Sequence, residues 1–431
     1  MGDLPIIQIF RDGEWLPAAV IEPLGDEHAR VEYLPEYVFG QSDPLPIALA
    51  FPVGLEARTH DSSRPRMPAF LYDLVPQGPG RKMLADLMGL RDHEGLALPL
   101  ILAGAFNPIG ALRVDQAVQF HADQVERQAL PGQSQRGFRL ADLAERNQET
   151  VDFLTTHAML SAGTTGVQGA APKFLLAADA DGLLYPDMAL PDEHARSHWL
   201  VKGPRGTSPD DRLILINEAS YLKAAAACGL DVYEPEKITL EQSWLKLPRF
   251  DRAVTEDGVQ RMAQESLASL AGLQGLGLTT SLNRLLAVLR QHSYEPQQDT
   301  VEFIKRDILN QALRNTDNHA RNHAVQRRLD GSIRLTPLFD FAPMFRDPEL
   351  IPRALHWRNS SGRVLRDWEA ILLSLDLPDD EADELSVALA GFAGTVAGLA
   401  ETALEYGADQ TIVTACAKSI EFQAESLSRL A

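Results

Sequence analysis

The stretch RNTDNHARNHAVQRRLDGSIRLTPLFDFAP (residues 314–343) carries three oxygen-bearing side chains in a fixed order. Asp317 and Asn322 stand five positions apart. Asp340 follows a segment patterned as a β-hairpin, AVQRRL and SIRLTPL around the turn pair Asp330-Gly331. One carboxylate and one amide oxygen are hard ligands that suit magnesium. A second carboxylate nearby can orient a hydroxyl and accept its proton. Asp and Asn are also common caps and turn formers, and for the pair 317/322 alone that plainer reading is preferred. Asp340, together with features upstream, favours chemistry. His319 and His323 flank Asn322 at i, i+4 spacing. A zinc motif of the HExxH kind needs Glu where Ala320 stands, so His319 is expected to brace the loop through hydrogen bonds.

The full chain has 431 residues, 45% of them hydrophobic and 23% charged, with a formal net charge of −20. That length predicts two or three compact units. The longest apolar run, GLALPLILAGAF (95–106), is too short to span a bilayer. MGDLPIIQIFRDGEW has neither the basic n-region of a secretory signal nor the Ser/Thr of a myristoylation site. The two cysteines, Cys228 and Cys416, sit in apolar helical patterns, so a cytoplasmic, reducing location without disulfides is expected. A chain this acidic is repelled by nucleic-acid phosphates, so any DNA binding would pass through a basic partner or a local patch.

Periodicity divides the chain into three regions: 1–120, strand-rich; 121–250, a polar coupling segment followed by loops and strands; and 251–431, mainly helical. In the first, IIQIF and ARVEYL predict strands, YVFG another, and Asp12-Gly13 a hairpin turn. In the last, QRMAQESLASLAGL, TSLNRLLAVLRQH and DTVEFIKRDILNQALRN predict helices, and EADELSVALAGFAGTVAGLAETALEYG a single long one. INEASYLKAAAACGL (216–230) predicts a helix closing at Gly229. The order, strands first and helices last, is that of an α+β, two-lobed, protein-kinase-like fold, with a mixed α/β N-terminal region and an all-helical C-terminal lobe.

Three further features bear on phosphate chemistry. SAGTTGVQGAAP (161–172) is rich in Gly, Ser and Thr, and Gly163, Gly166 and Gly169 let backbone N–H groups approach phosphate oxygens; alone it reads as a surface loop. Lys202 ends the apolar strand HWLVK, where it can pair with nucleotide phosphates or simply reach solvent. Glu218 is a weaker candidate for its carboxylate partner. LPRFDR (247–252) can hold an adenine through its backbone, or be an ordinary linker. The Asp317/Asn322 offset is that of the kinase catalytic loop, in which the Asp is the base and the Asn a magnesium ligand.

Together these segments resemble the HipA-like serine/threonine protein kinases, the toxin halves of bacterial toxin–antitoxin pairs. FLYDLVPQGPGR (70–81), FNPIGALRV (106–114), GVQGAAPKF (166–174), HWLVK, LPRFDR, and NTDNHARN with LTPLFD each look like a family motif, the last pair most specifically. The resemblance implies an N-terminal subdomain over 1–120, a coupling segment and ATP-binding N-lobe over 121–250 and a catalytic C-lobe over 251–431. It implies ATP and Mg2+ as cofactors and Asp317 as catalytic base. Asn322 and Asp340 become magnesium ligands and Lys202 the phosphate lysine. Gly166, Val167, Gln168, Pro248, Arg249, Phe250 and His319 become nucleotide-site residues. Family members autophosphorylate a Ser in the Gly-rich loop. Here Gly163 stands where that Ser would align and Lys173 lies five positions after Gln168, leaving Ser161, Thr164 and Thr165 as candidate acceptors. A small helix-turn-helix, HipB-like antitoxin is implied as partner, with DNA bound only through it. The implied protein substrate lies in translation, where the family's targets include aminoacyl-tRNA synthetases. A small-molecule phosphotransferase and a catalytically silent, kinase-shaped corepressor remain as alternatives.

Overall fold

Asp12 and Gly13 both adopt left-handed backbone angles, φ 51° and 85°, the geometry of a type I′ turn. The strand Ile6–Arg11 therefore folds directly back on Glu14–Gly25. The structure, a computed structural model, describes residues 4–55, 66–128, 137–144, 173–204, 206 and 208–430. Its contacts divide it into two compact units, one of residues 1–205, 241–277 and 326–329, the other of 206–240, 278–325 and 330–431.

The first unit holds two large antiparallel sheets and a two-stranded one, Arg252–Thr255 with Gly258–Arg261. In one, the strand order is His28–Tyr33, Glu14–Gly25, Ile6–Arg11, Leu112–Val114. Ile7, Ile9, Ile21 and Val31 are buried on it together with Leu71, Leu100, Ile101 and Phe106 from the following segments. YVFG, expected as a strand, is instead part of the helix Pro35–Gly40. Pro35 at the first helical turn presets the backbone, and the Tyr37 hydroxyl donates to Leu45 O at 2.7 Å.

The other large sheet runs Leu184–Pro186, Lys173–Ala178, Ser197–Lys202, Trp244–Pro248, Thr239–Glu241. Lys173–Ala178 is buried at every position, as a central strand must be. The strand Trp244–Pro248 is entered through Gln242 and Ser243, both at positive φ (47° and 78°). Beyond it, QRMAQESLASLAGL is not the expected helix. It forms the strands Gly258–Arg261 and Gln264–Ser266 and one helical turn, Leu267–Leu270. Pairing of Gly258–Arg261 with Arg252–Thr255, the bond from Met262 N to Asp251 O (3.0 Å) and the Asp73 carboxylate on Ser266 N and Oγ override the local periodicity.

The second unit is dominated by helices. Pro209–Ala227 begins with a capping box between Ser208 and Asp211 and closes before Gly229 at φ 83°. Ser281 caps Leu282–His292, and Pro296–Ala312 leads to the loop of interest. The expected single long helix breaks at Gly398 into Asp379–Ala397 and Leu399–Glu405, bent by 55°. Gly is a poor helix former, and a turn there lets the second piece pack on Pro209–Ala227. The last helix is Gln410–Ser428. The strands flanking Asp330-Gly331, Ala324–Arg327 and Ile333–Leu335, are present, with 326–329 counted in the first unit, so residues 251–431 are not made of helices alone. Cys228 and Cys416 are buried free thiols. Among the described residues no single helix is long and apolar enough to cross a membrane.

Candidate active site

The helix Pro296–Ala312 ends in a tight closure: Asn315 N donates to Asn310 O at 2.8 Å and Arg314 N to Gln311 O at 3.4 Å. This six-to-one bond is the Schellman form, which places its turning residue in the left-handed region. That residue is usually Gly; here it is Arg314, at φ 55°. The closure delivers the chain into Asn315–His323 across the face of the same helix.

Asp307, fully buried on that helix, anchors the loop. Its carboxylate accepts from Gln311 Nε2 (2.9 Å), Asn318 Nδ2 (3.0 Å), Trp357 Nε1 (2.8 Å) and Arg353 Nη2. Asn318 in turn accepts from His323 Nε2 at 2.7 Å. Burial, reinforced by Arg306, His319 and Arg353, holds the His323 pKa down at about 3, so this imidazole is neutral and structural. Among the described residues no three His, Cys, Asp or Glu side chains converge into a metal cluster.

Asp317 and His319 are both partly exposed, with His319 Nε2 3.6 Å from Asp317 Oδ1. Asn322 donates its Nδ2 to the Asp317 carbonyl at 2.8 Å. Its Oδ1 is buried and has no hydrogen-bond partner among the described residues. An orphaned buried amide oxygen costs about 1–3 kcal/mol, and a hard cation is one kind of ligand that would satisfy it. Asp340 sits at φ 50°, a conformation that costs a non-Gly residue about 1–3 kcal/mol and clusters at functional sites. Asn315 Nδ2 donates to the Asp340 carbonyl at 3.3 Å and to Asn310 Oδ1 at 2.8 Å, so the two Asp-bearing segments share one support. An amide oxygen and a carboxylate so held fit a magnesium ion that completes its shell with phosphate and water.

The nucleotide candidates lie in the first unit. Lys202, 3% exposed, is the direct cross-strand partner of Lys173, 7% exposed. The register thus sets two buried lysines side by side on neighbouring strands. Pro248 pairs with Trp199 on the strand that carries Lys202. The Phe250 carbonyl already accepts from Gln326 Nε2 at 2.9 Å. The Arg249 guanidinium is committed to Asp187 and Asp251 at 2.6–2.9 Å, and its N–H to His198 O, so only its carbonyl remains for a nucleotide. Burial works against the Asp187 carboxylate, but Arg249 and then His198 hold its pKa well below the usual range.

Gly166, Val167, Gln168, Ser161, Thr164 and Thr165 lie outside the described residues. Glu218 is buried in Pro209–Ala227, a helix of the second unit. Sequence reasoning missed Asp307, Asn318 and Asn315 as supports and undervalued Lys173. A buried-type Asp in an otherwise amphipathic helix was the available signal for the first, and the strand KFLLAA for the last.

The model of the HipA-like C-terminal domain matches residues 165–394. That is more than half of the chain, and the chain belongs to this family. The structure of HipA from Shewanella oneidensis MR-1, solved with HipB and operator DNA, is similar over 98% of this chain and 97% of its own, with TM-score 0.64 and 15% identity. The α+β fold is therefore that of HipA. The Helicobacter pylori proinflammatory kinase CtkA covers 54% of this chain and 92% of its own at TM-score 0.37 and 14% identity. No curated protein matches the chain.

Proposed function

We propose that this chain is an ATP- and magnesium-dependent serine/threonine protein kinase and the toxin of a toxin–antitoxin pair. The observation that carries the reading is the coupled pair Asp317–Asn322: the amide nitrogen holds the Asp317 backbone, and Asn322 Oδ1 is buried without a hydrogen-bond partner among the described residues. Asp317 would accept the acceptor hydroxyl's proton as the oxygen attacks the γ-phosphorus of ATP and ADP leaves, with His319 beside the Asp317 carboxylate. Asn322 and Asp340 would hold the metal, whose contribution when bound is to neutralise phosphate charge. Lys202 and Lys173 would bind phosphate oxygens, and the Pro248–Phe250 backbone the adenine. The HipB-bound form of the Shewanella structure supports a HipB-like antitoxin as partner, with a net charge of −20 favouring DNA contact through that partner.

The test is transfer from isotope-labelled ATP with magnesium, wild type beside Asp317→Ala, with phosphosites mapped by mass spectrometry in the protein and in a cell extract. Transfer to Ser or Thr that is lost in Asp317→Ala, with ATP binding retained, is expected. Transfer that survives the substitution refutes the assignment. ATP binding with no transfer to any acceptor returns the silent corepressor, and transfer only to small molecules the metabolite kinase.

A further inference from the structure

The second unit contains a cavity of about 420 Å³ whose wall ends one residue before Asp317. Asn310, Gln311, Arg314, Asn315, Thr316, Arg353, Trp357 and Leu365 line it. Arg366, Lys418 and Phe422 stand at its rim. Four of its residues are permanent cations (Arg314, Arg353, Arg366 and Lys418) and none is acidic. Its histidine, His356, has its pKa lowered, first by burial and then by Arg353.

Three polar atoms of this lining are buried without a hydrogen-bond partner among the described residues: Asn315 Oδ1, Thr316 Oγ1 and Arg353 Nη1. Arg353 is nevertheless fixed, since its Nη2 bonds Asp307 and its Nε the Leu355 carbonyl. One guanidinium edge is thus immobilised with a donor to spare. Arg366 and Lys418 make no hydrogen bond or ion pair among the described residues. Arg314 is held in the left-handed region that Gly would occupy at less cost, with its guanidinium 4.2 Å from the Phe345 ring centroid. Arg314 Nη1 also donates to the Ala415 carbonyl at 3.2 Å; a clamped arginine with an unused donor and two exposed cations without an ion pair among the described residues form an oxyanion-binding set.

We propose that this cavity is a docking site for an anionic side chain, the carboxylate of Glu or Asp or a phosphorylated residue, of the acceptor polypeptide. The volume suits one or two side chains and is too small for a nucleic-acid backbone, and Trp357, Leu365 and the 46%-exposed Phe422 give it apolar walls for a peptide stem. The placement relative to the acceptor rests on the kinase reading: with Thr316 adjacent to Asp317 and an extended chain rising about 3.3 Å per residue, the anion lies within about four residues of the phosphorylated hydroxyl.

The experiment measures fluorescence anisotropy of labelled Ser-containing peptides on the full-length protein. A Glu-flanked peptide, its Gln-flanked counterpart and a phosphoserine-flanked one are titrated into wild type, Arg366→Glu and Lys418→Glu. Both substitutions lie on exposed side chains; Arg366→Gln and Lys418→Gln give a second, milder pair. The anionic peptides are expected to bind about tenfold tighter than the Gln peptide, and each charge reversal to remove about that factor. Equal binding of charged and neutral peptides, or binding untouched by both reversals, overturns the proposal. So does full displacement by inorganic phosphate at the concentration at which phosphate alone saturates the site, which marks a free-anion site. Phosphate transfer is read separately. Preference without transfer supports the cavity and sinks the kinase reading, whereas transfer without preference does the reverse.

Discussion

Asn318→Ala tests the support of the catalytic loop directly. The substitution removes two bonds: Nδ2 to the buried Asp307 carboxylate at 3.0 Å, and His323 Nε2 to Oδ1 at 2.7 Å. The first is a bond to a charged group, worth about 1.5–3 kcal/mol. Losing the second strands a buried imidazole N–H, at about 1–3 kcal/mol. Asp307 keeps Gln311, Arg353 and Trp357 as donors, so no charge is orphaned and the lower part of the sum applies, about 3 kcal/mol. The origin of the loss separates in a double-mutant cycle. Replacing the stranded imidazole by Leu in Asn318→Ala/His323→Leu should return about 1–2 kcal/mol, because the unsatisfied donor is gone. Urea unfolding followed by tryptophan fluorescence and by circular dichroism gives the values, and coincidence of the two curves checks that a single transition is being measured. A loss under about 1 kcal/mol, or no recovery in the double variant, refutes the reasoning that Asp307 holds this loop through Asn318.

Glu265 offers a pH test. Burial, aided by the nearby Asp73 charge, raises its pKa to about 7, although Leu49 N and Ser269 Oγ donate to it. Because the folded pKa exceeds the unfolded one, its contribution is full below about pH 4.5 and is lost as pH rises through 7. The loss is on the order of 3 kcal/mol, and Glu265→Gln should flatten that part of the stability profile in melts between pH 5 and pH 8. Lys173→Met should shrink the melting shift produced by saturating ATP–Mg2+, which is about 2.7 kcal/mol at a hundred times Kd, with an unchanged shift excluding Lys173 from the phosphate site. Asp340→Asn should weaken magnesium-dependent nucleotide binding about tenfold or more while magnesium-free binding is unaffected, as read by calorimetric titration.

What the sequence revealed and what it concealed divide along a physical line. Asp317, Asn322 and Asp340 stand out in the sequence as candidates because phosphoryl transfer tolerates few side-chain types, and because their spacing is local. The Asp12-Gly13 turn and the helix end at Gly229 were legible for the same reason, since φ above zero selects its residues. Asp307 was not. Its meaning lies in Trp357, 50 positions on, and in Arg353, 46 positions on, which no periodicity connects. Residues 258–266 misled because MAQES is a helical composition held extended by partners elsewhere in the chain. Lys173 was hidden by the irregular spacing of the loop before it, and only strand register set it opposite Lys202.

Within the first unit, residues 107–110 are tied by hydrogen bonds to a buried charge cluster around Arg249. Asn107 Nδ2 donates to Asp187 at 2.8 Å, Gly110 N to Asp251 at 2.9 Å, and Arg252 Nη1 to the Gly110 carbonyl at 2.8 Å. Asp187, Arg249, Asp251 and Arg252 are all at most 7% exposed, two charges of each sign that balance only as a set. Gly110 fits because its φ is 96° and a Cβ there would meet Gln264 N at 3.2 Å. Removing residues 106–114 would leave the Asp251 carboxylate and the Arg252 guanidinium buried with unmet bonds, and breaking one side of such a set costs about 3–5 kcal/mol. The same four residues bracket Phe250 and fix the path of the Pro248–Arg252 segment. The N-terminal segment is thus part of what shapes the proposed adenine connector, so a chain truncated before residue 115 should lose nucleotide binding even though Lys173, Lys202, Pro248 and Phe250 remain.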